Sequence, residues 1–348
     1  MALLIVAGAL AGAEGPRSGT LLLRPTSAIA LQGYGRLVAD GERAAAVGGC
    51  GILLWKAGSR KGTFVQPCRA ERGVDAWGVD EVALAGNRLA WMREESISHG
   101  MRVQTELVVK NGAAKQHEIA SAYNDSGFGA YLLTLAGGGD TLAFGWSYSF
   151  DEDFREQVYR ISRTSGAGLC PSEPDGLLPN PPQTLVCAST GLNAGLVRGV
   201  SGGRILVSFG GFQQVGVVEA DNSEHDLPIP PTDKHLELAI SGADVGVVQA
   251  GGSTLDLYDA DTGALRRRWP IARVGAVRRL SLGAGFAVFA SRGIHLVRLS
   301  DGSERTVLAP GRKAPIAATL TSTGLFVLYR AKNHERLGFV PAPGLRGA

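Results

Sequence analysis

Hydrophobic and polar positions along the chain fall into a recurring pair of stretches. A short segment of alternating polarity reaches a glycine-bearing turn and is followed by a segment apolar at almost every position. In the first copy Arg36-Leu37-Val38-Ala39 passes through Asp40-Gly41 to Ala44-Ala45-Ala46-Val47. The second joins Val82-Ala83-Leu84-Ala85 through Gly86-Asn87 to Leu89-Ala90-Trp91-Met92, and the third joins 132–136 through Gly137-Gly138-Gly139 to Leu142-Ala143-Phe144. Four more follow: 197–200 with Gly202-Gly203 and 205–207, 236–240 with Gly242 and 245–248, 277–282 with Gly283 and 286–289, and 316–320 with Gly324 and 326–329. Alternation is the mark of a strand with one covered face, and a short continuous apolar run fits a strand covered on both.

The residues that open the seven apolar segments are Arg43, Arg88, Thr141, Arg204, Asp244, Gly285 and Gly324, at intervals of 45, 53, 63, 40, 41 and 39. Four-stranded blades arranged around an axis repeat every ~40 to 50 residues, and their second strands lie sandwiched between neighbouring blades. The pattern therefore predicts an all-β chain, a single seven-bladed β-propeller of four-stranded antiparallel blades over residues 20–343. Residues 1–19 precede it as a leader and 344–348 follow as a tail. Polar turns such as Asp259-Ala260-Asp261-Thr262-Gly263 and Asp301-Gly302 supply positions that accept positive φ between third and fourth strands. The seventh copy contains three strands, so Thr20-Leu21-Leu22-Leu23-Arg24 is expected to complete the last blade and remove an exposed sheet edge.

With its Asp-x-x-Thr-Gly hairpin at Asp259–Gly263, the sequence resembles the broad WD40-like, TolB-like and quinoprotein-like propeller group over residues 20–343. The resemblance implies a fold. The copies lack the Trp-Asp dipeptide and Gly-His pair of true WD40 repeats, so it implies no particular scaffold role.

Composition agrees. Of 348 residues, 45% are hydrophobic and 19% charged, which excludes a disordered chain, and the 49 glycines follow no collagen period. No apolar run approaches the ~20 residues of a membrane-spanning helix, so no transmembrane segment is expected. The formal charge is +3, and nucleic acid is not an expected partner. One basic cluster, Arg266-Arg267-Arg268 with Arg278 and Arg279, reads as a solvated strand edge.

Residues 2–13 are apolar and end Ala11-Gly12-Ala13, which fits the core and cleavage site of a secretory signal, although no basic residue precedes Arg17. The cysteines form two local pairs, Cys50 with Cys68 and Cys170 with Cys187. The hairpin turn Gly58-Ser59-Arg60-Lys61-Gly62 brings the first pair opposite one another, and the second brackets a proline-rich stretch. Disulfides and a secreted or extracytoplasmic location are expected.

The two longest intervals are expected to place extra loops side by side on one face. Together they offer Trp146, Tyr148, Phe150, Asp151, Glu152 and Asp153 beside Glu94 and Glu95, a mixture suited to a sugar, a Ca²⁺ ion or a basic peptide. Gly199-Val200-Ser201-Gly202-Gly203 matches G-x-S-x-G but lies between two strands, where no nucleophile elbow forms. No catalytic residue, metal site or cofactor is assigned. The expectation is a monomeric binding scaffold, its protein or carbohydrate ligand held on one face. The alternatives are an extracytoplasmic enzyme acting on glycans through carboxylates of residues 147–155, and a quinoprotein-type dehydrogenase with its cofactor in the central channel.

Overall fold

A computed structural model describes residues 19–49, 51–65, 76–97, 102–125, 128–150, 153–161, 185–187, 196–209, 212, 214–232, 234–249, 252–272 and 277–346, with only the backbone along the outer ends of several strands between 76 and 187. Two strands, β1 (Gly19–Leu22) and β2 (Ser27–Leu31), precede the repeats. Blade one comprises β3 (Arg36–Asp40), β4 (Arg43–Gly48), β5 (Gly51–Lys56) and β6 (Thr63–Val65). Blade two comprises β7 (Ala76–Ala85), β8 (Arg88–Ile97), β9 (Arg102–Asn111) and β10 (Gln116–Asp125). Blade three comprises β11 (Phe128–Gly138), β12 (Thr141–Phe150), β13 (Asp153–Ile161) and β14 (Leu185–Cys187). Blade four holds β15 (Leu196–Ser201), β16 (Arg204–Phe209), β17 (Gln214–Val218) and β18 (Glu224–Leu227), and blade five β19 (Leu236–Ser241), β20 (Asp244–Gln249), β21 (Thr254–Asp259) and β22 (Leu265–Pro270). Blade six holds β23 (Arg278–Gly283), β24 (Phe286–Ala290), β25 (Ile294–Arg298) and β26 (Glu304–Leu308), and blade seven β27 (Ala317–Leu320), β28 (Gly324–Ala331) and β29 (His334–Pro341), followed by the short helix α1 (Ala342–Arg346).

The seven first strands touch in cyclic order, β3 to β7 to β11 and so on through β27 back to β3, and thereby line a central channel. Each pair of neighbouring blades shares one buried apolar cluster. Second strands supply the most completely buried residues, with Ala44–Val47, Leu142–Phe144, Ile205–Val207 and Leu325–Leu328 at most 2% exposed. The continuous apolar runs thus report burial on both faces, as the sequence predicts.

Closure differs in its detail. The strand that completes blade seven is β2, antiparallel to β29 with Ser27 opposite Phe339 and Leu31 opposite Glu335. Residues 20–24, expected in that role, instead lie parallel to β26 as a fifth strand on blade six, Gly19 opposite Arg305 and Leu22 opposite Leu308. Leu21 and Leu23 are buried between blades six and seven, so this segment finds its berth one blade earlier than expected.

The surplus length of blades two and three also takes another form. Among the described residues part of it builds strands of nine to eleven residues, and residues 93–97 and 147–150 continue β8 and β12, while 162–184 and 188–195 lie outside the described residues. At their tips β10 pairs with β11, Asn124 opposite Gly129 and Asp125 opposite Phe128, which fuses the two blades into one eight-stranded sheet.

Candidate functional site at the channel mouth

Every first strand runs from one face of the ring to a tight turn at the other, so all seven begin around one mouth of the channel. The same face carries the connections from second to third strands. Four of the inner strands break register near this mouth: between Val79 and Glu81, Leu132 and Thr134, Val197 and Gly199, and Arg278 and Ser281. A bulge inserts an unpaired residue and re-aims side chains. Three of these breaks fall on charged residues, Asp80, Arg198 and Arg279, and Arg279 takes the left-handed conformation at φ 56°.

Arg36, Asp80, Glu81 and Arg279 line a cavity of about 460 Å³ at this mouth, walled by Leu37, Val38, Val47, Val82, Leu280, Ala317 and Ala318. Arg36 donates to the carbonyls of Val79 and Asp80, and Arg279 Nη1 reaches Gly35 O at 3.5 Å. Arg198 donates from Nε to Ser208 Oγ at 2.8 Å and sits 4.5 Å from the centroid of the Phe212 ring, a cation–π arrangement. Burial lowers the Arg198 pKa, while Glu237 raises it. Glu237 in turn accepts from Arg279 N at 2.7 Å and Leu280 N at 3.4 Å, and its other oxygen lies 2.8 Å from His235 Nε2.

Glu81 is pushed up to about 7, mainly because burial disfavours its charged form and secondly because Asp80 is beside it; Arg36 and Arg279 act in the opposite direction. A carboxyl that exchanges its proton near neutrality inside a concave site marks a functional candidate.

At the other end of the channel, beside a cavity of about 350 Å³, several polar groups tie neighbouring turns together. Asp40 accepts from Gly86 N at 2.6 Å and Gly139 N at 3.0 Å. Ser201, of the G-x-S-x-G match, accepts from Gly242 N at 2.8 Å and so ties the blade four turn to that of blade five. In blade six the buried His295 Nδ1 lies 2.8 Å from Glu304 Oε1, whose partner oxygen accepts from Ala272 N at 2.7 Å; the pair anchors the connection from blade five.

Of the residues singled out from sequence, Glu94 lies exposed on β8 opposite Thr105, with Glu95 next along the strand. Trp146 is fully buried, edge-to-face with Tyr159 at 6.4 Å, and belongs to the core between blades two and three rather than to a ligand surface. Tyr148, Phe150 and Asp153 are placed by backbone alone, opposite Arg155, Asp153 and Phe150 respectively. Asp151 and Glu152 lie outside the described residues, as do Cys50, Cys68 and Cys170; Cys187 is placed only by its backbone, opposite Tyr159 on β13. Arg266 pairs with Asp244 and Asp259, and Arg268 with Asp256, so two residues of the basic cluster are internally compensated. Among the described residues no group of three His, Cys, Asp or Glu is arranged to hold a metal ion, and no helix is long and apolar enough to cross a membrane.

The mouth was missed because its residues come from five blades, at positions 36, 80–81, 198, 237 and 279. The available signal was Val79-Asp80-Glu81-Val82, two consecutive charges inside an otherwise apolar inner strand.

The ring defines the fold: a seven-bladed β-propeller. Among solved structures it is similar to streptogramin B lyase, at 11% identity and TM-score 0.53 over 90% of this chain and 97% of that one. It is also similar to the propeller domain of Myceliophteria thermophila Cps50 (Swd1), at 10% identity and TM-score 0.52 over 91% and 99%. A chain of the mitotic checkpoint complex matches at 12% identity and TM-score 0.51 over 98% and 99%. At such identities the likeness is one of fold. No family model matches the sequence, and no curated protein is similar to it.

Proposed function

We propose that this chain is an extracytoplasmic interaction scaffold that binds a partner through the face bearing the channel mouth. The observation that carries the reading is the mouth itself, a cavity built on bulged strands where Arg36, Asp80, Glu81 and Arg279 converge. Location outside the cytoplasm is supported by the apolar segment 2–13 and by the two cysteine pairs. The long strands of blades two and three extend the same face and include the exposed Glu94.

The test is capture of a partner from the extracytoplasmic fraction by the immobilised full chain, followed by backbone hydrogen exchange on the complex. Slowed exchange at 35–37, 79–82 and 277–281 is the expected footprint. Protection confined to the turns at 40–43, 139–141 and 202–204 would place the partner on the other face and overturn the reading. Intact mass after alkylation without reductant tests the compartment: no added alkyl groups is expected, and four would contradict it.

A second reading, an enzyme acting on glycans, is favoured by one observation. Glu81, titrating near 7 beside a second carboxylate, is the acid/base chemistry that glycosidic cleavage needs. Turnover of a glycan that is lost in Glu81→Gln would support it; turnover unchanged in that variant would remove the assignment.

A further inference from the structure

Blades six and seven give the mouth-bearing face a charge of one sign. From Ile271 to Ile294 and from Ala309 to His334 the sequence holds no Asp or Glu. Arg278 and Arg279 open β23, Arg292 lies in the turn from β24 to β25, Arg312 and Lys313 in the connection from β26 to β27, and Lys332 in the turn from β28 to β29. All six therefore emerge on this face, and all six are exposed. Elsewhere surface arginines have their own counter-ions: Arg204 has Glu219 and Asp261, Arg266 has Asp244 and Asp259, Arg268 has Asp256, and Arg298 has Asp301. None of the six forms an ion pair among the described residues. Arg279 alone has carboxyl groups beside it, Glu81 across the cavity and Glu237, which accepts its backbone N–H. Arg330, opposite Glu335 on β29, is not counted with them.

The backbone makes some of the same residues costly to keep. Among the described residues five other than glycine take positive φ, and three belong to this group: Arg279 at 56°, Arg312 at 58° and Lys332 at 53°. The left-handed region strains a residue that carries a Cβ and suits glycine or asparagine. Lys332 and Asn333 form the two-residue turn between Ala331 and His334, where Asn-Gly is the unstrained choice. Long cationic side chains held at such positions point to a use for the charge rather than for the turn.

We propose that the mouth-bearing face over blades six and seven docks an acidic segment of a protein partner, whose Asp and Glu side chains pair with Arg278, Arg279, Arg292, Arg312, Lys313 and Lys332. This deepens the reading of the mouth-bearing face as the binding face and rests on it. Charge complementarity selects the chemistry, since arginine forks match carboxylates and patches of opposite sign steer one another. It also selects the extent. On the same face blade two carries the exposed Asp80 and Glu94. A polyanion broad enough to cover the ring, such as a membrane of acidic lipids or a nucleic-acid duplex, meets those carboxylates as well. A compact acidic segment over blades six and seven does not.

The test is fluorescence anisotropy of a labelled peptide of alternating Asp and Glu titrated with the full chain. A labelled DNA duplex and vesicles of phosphatidylcholine with phosphatidylserine are run alongside. Asparagine suits positive φ, so the double variant Arg312→Asn/Lys332→Asn removes two charges without straining either turn, and its melting temperature is expected to be kept or raised. The peptide is expected to bind the wild-type protein, more weakly as salt is raised, and to bind the double variant at least about fivefold more weakly. Arg267→Gln, which removes an exposed cation from β22, is expected to change nothing. Arg278→Gln/Arg292→Gln, at positions of ordinary φ, is expected to lose as much as the first pair and keeps the test decisive if that pair fails to fold. No binding by the wild-type protein, undiminished binding by the folded variants, an equal loss in Arg267→Gln, or a preference for the duplex or the vesicles overturns the inference. The footprint of a captured partner decides the binding face separately. A partner that protects 277–281 yet binds the double variants as tightly as wild type sinks the acidic-segment assignment alone.

Discussion

Arg43 Nη1 donates to the carbonyl of Gly86 at 3.0 Å, linking the start of the second strand of blade one to the inner turn of blade two. The link recurs around the ring. Arg88 donates to Asp140 O at 3.3 Å, Arg204 to Gly242 O at 3.5 Å, and Arg160 to Gly203 O. At the closure, Thr321 and Thr323 hydroxyls donate to Gly41 O at 2.8 and 2.7 Å. Turn carbonyls have no ladder partner of their own, and a guanidinium from the preceding blade reaches them without a main-chain contact. Several residues that mark the repeat in the sequence are therefore the connectors between blades.

The most buried connector should matter most. Arg88 is 4% exposed and also donates to Ile161 O at 3.0 Å. Arg88→Ala is expected to lower the unfolding free energy by about 2 kcal/mol and Arg43→Ala by about 1, since both lose charge-assisted bonds but only the first strands them in a buried setting. Urea denaturation measures this, and two variants indistinguishable from wild type would contradict the account.

The fifth strand on blade six makes a contrast within one dipeptide. Leu21 is 3% exposed and packs between blades six and seven, whereas Leu22 is 42% exposed. Leu21→Ala should cost about 2–4 kcal/mol and Leu22→Ala less than about 0.5. Equal losses in thermal unfolding would mean that β1 is not seated in this register.

Glu81 gives stability a pH dependence of unusual sign. In the unfolded chain its carboxyl ionises near 4.5, while in the folded protein it keeps its proton until about 7. The folded state therefore binds more protons across that window, and stability contributed by this group falls as pH rises from about 4.5 to 7. Glu81→Gln removes the penalty, so the variant should be more stable than wild type at pH 8 by about 2–3 kcal/mol and no different at pH 4. A variant destabilised at pH 8 would argue that the carboxylate is held by partners.

Much of this fold was legible in the sequence because each inter-blade core imposes the same demand on each second strand, as in Ala44–Val47 and Leu325–Leu328. Closure was legible in kind but not in place. Residues 19–22 and 27–31 are both short strands, and nothing in Leu21 or Leu23 distinguishes a parallel berth on blade six from an antiparallel one on blade seven. The extensions of β8 and β12 passed for loops because the apolar continuity of their inner ends stops at Met92 and Trp146. The site was hidden for a different reason. Arg36, Glu81 and Arg279 meet only because the ring closes, and ring closure is a property of all seven repeats rather than of any local motif.

The measurement that bears most directly on the channel mouth is the titration of the Glu81 carboxyl carbon by ¹³C NMR, assigned by its disappearance in Glu81→Gln. A midpoint near 7 is expected. A midpoint near 4.5 would mean a solvated carboxylate and contradict the account of the mouth as a site whose burial holds a proton near neutrality.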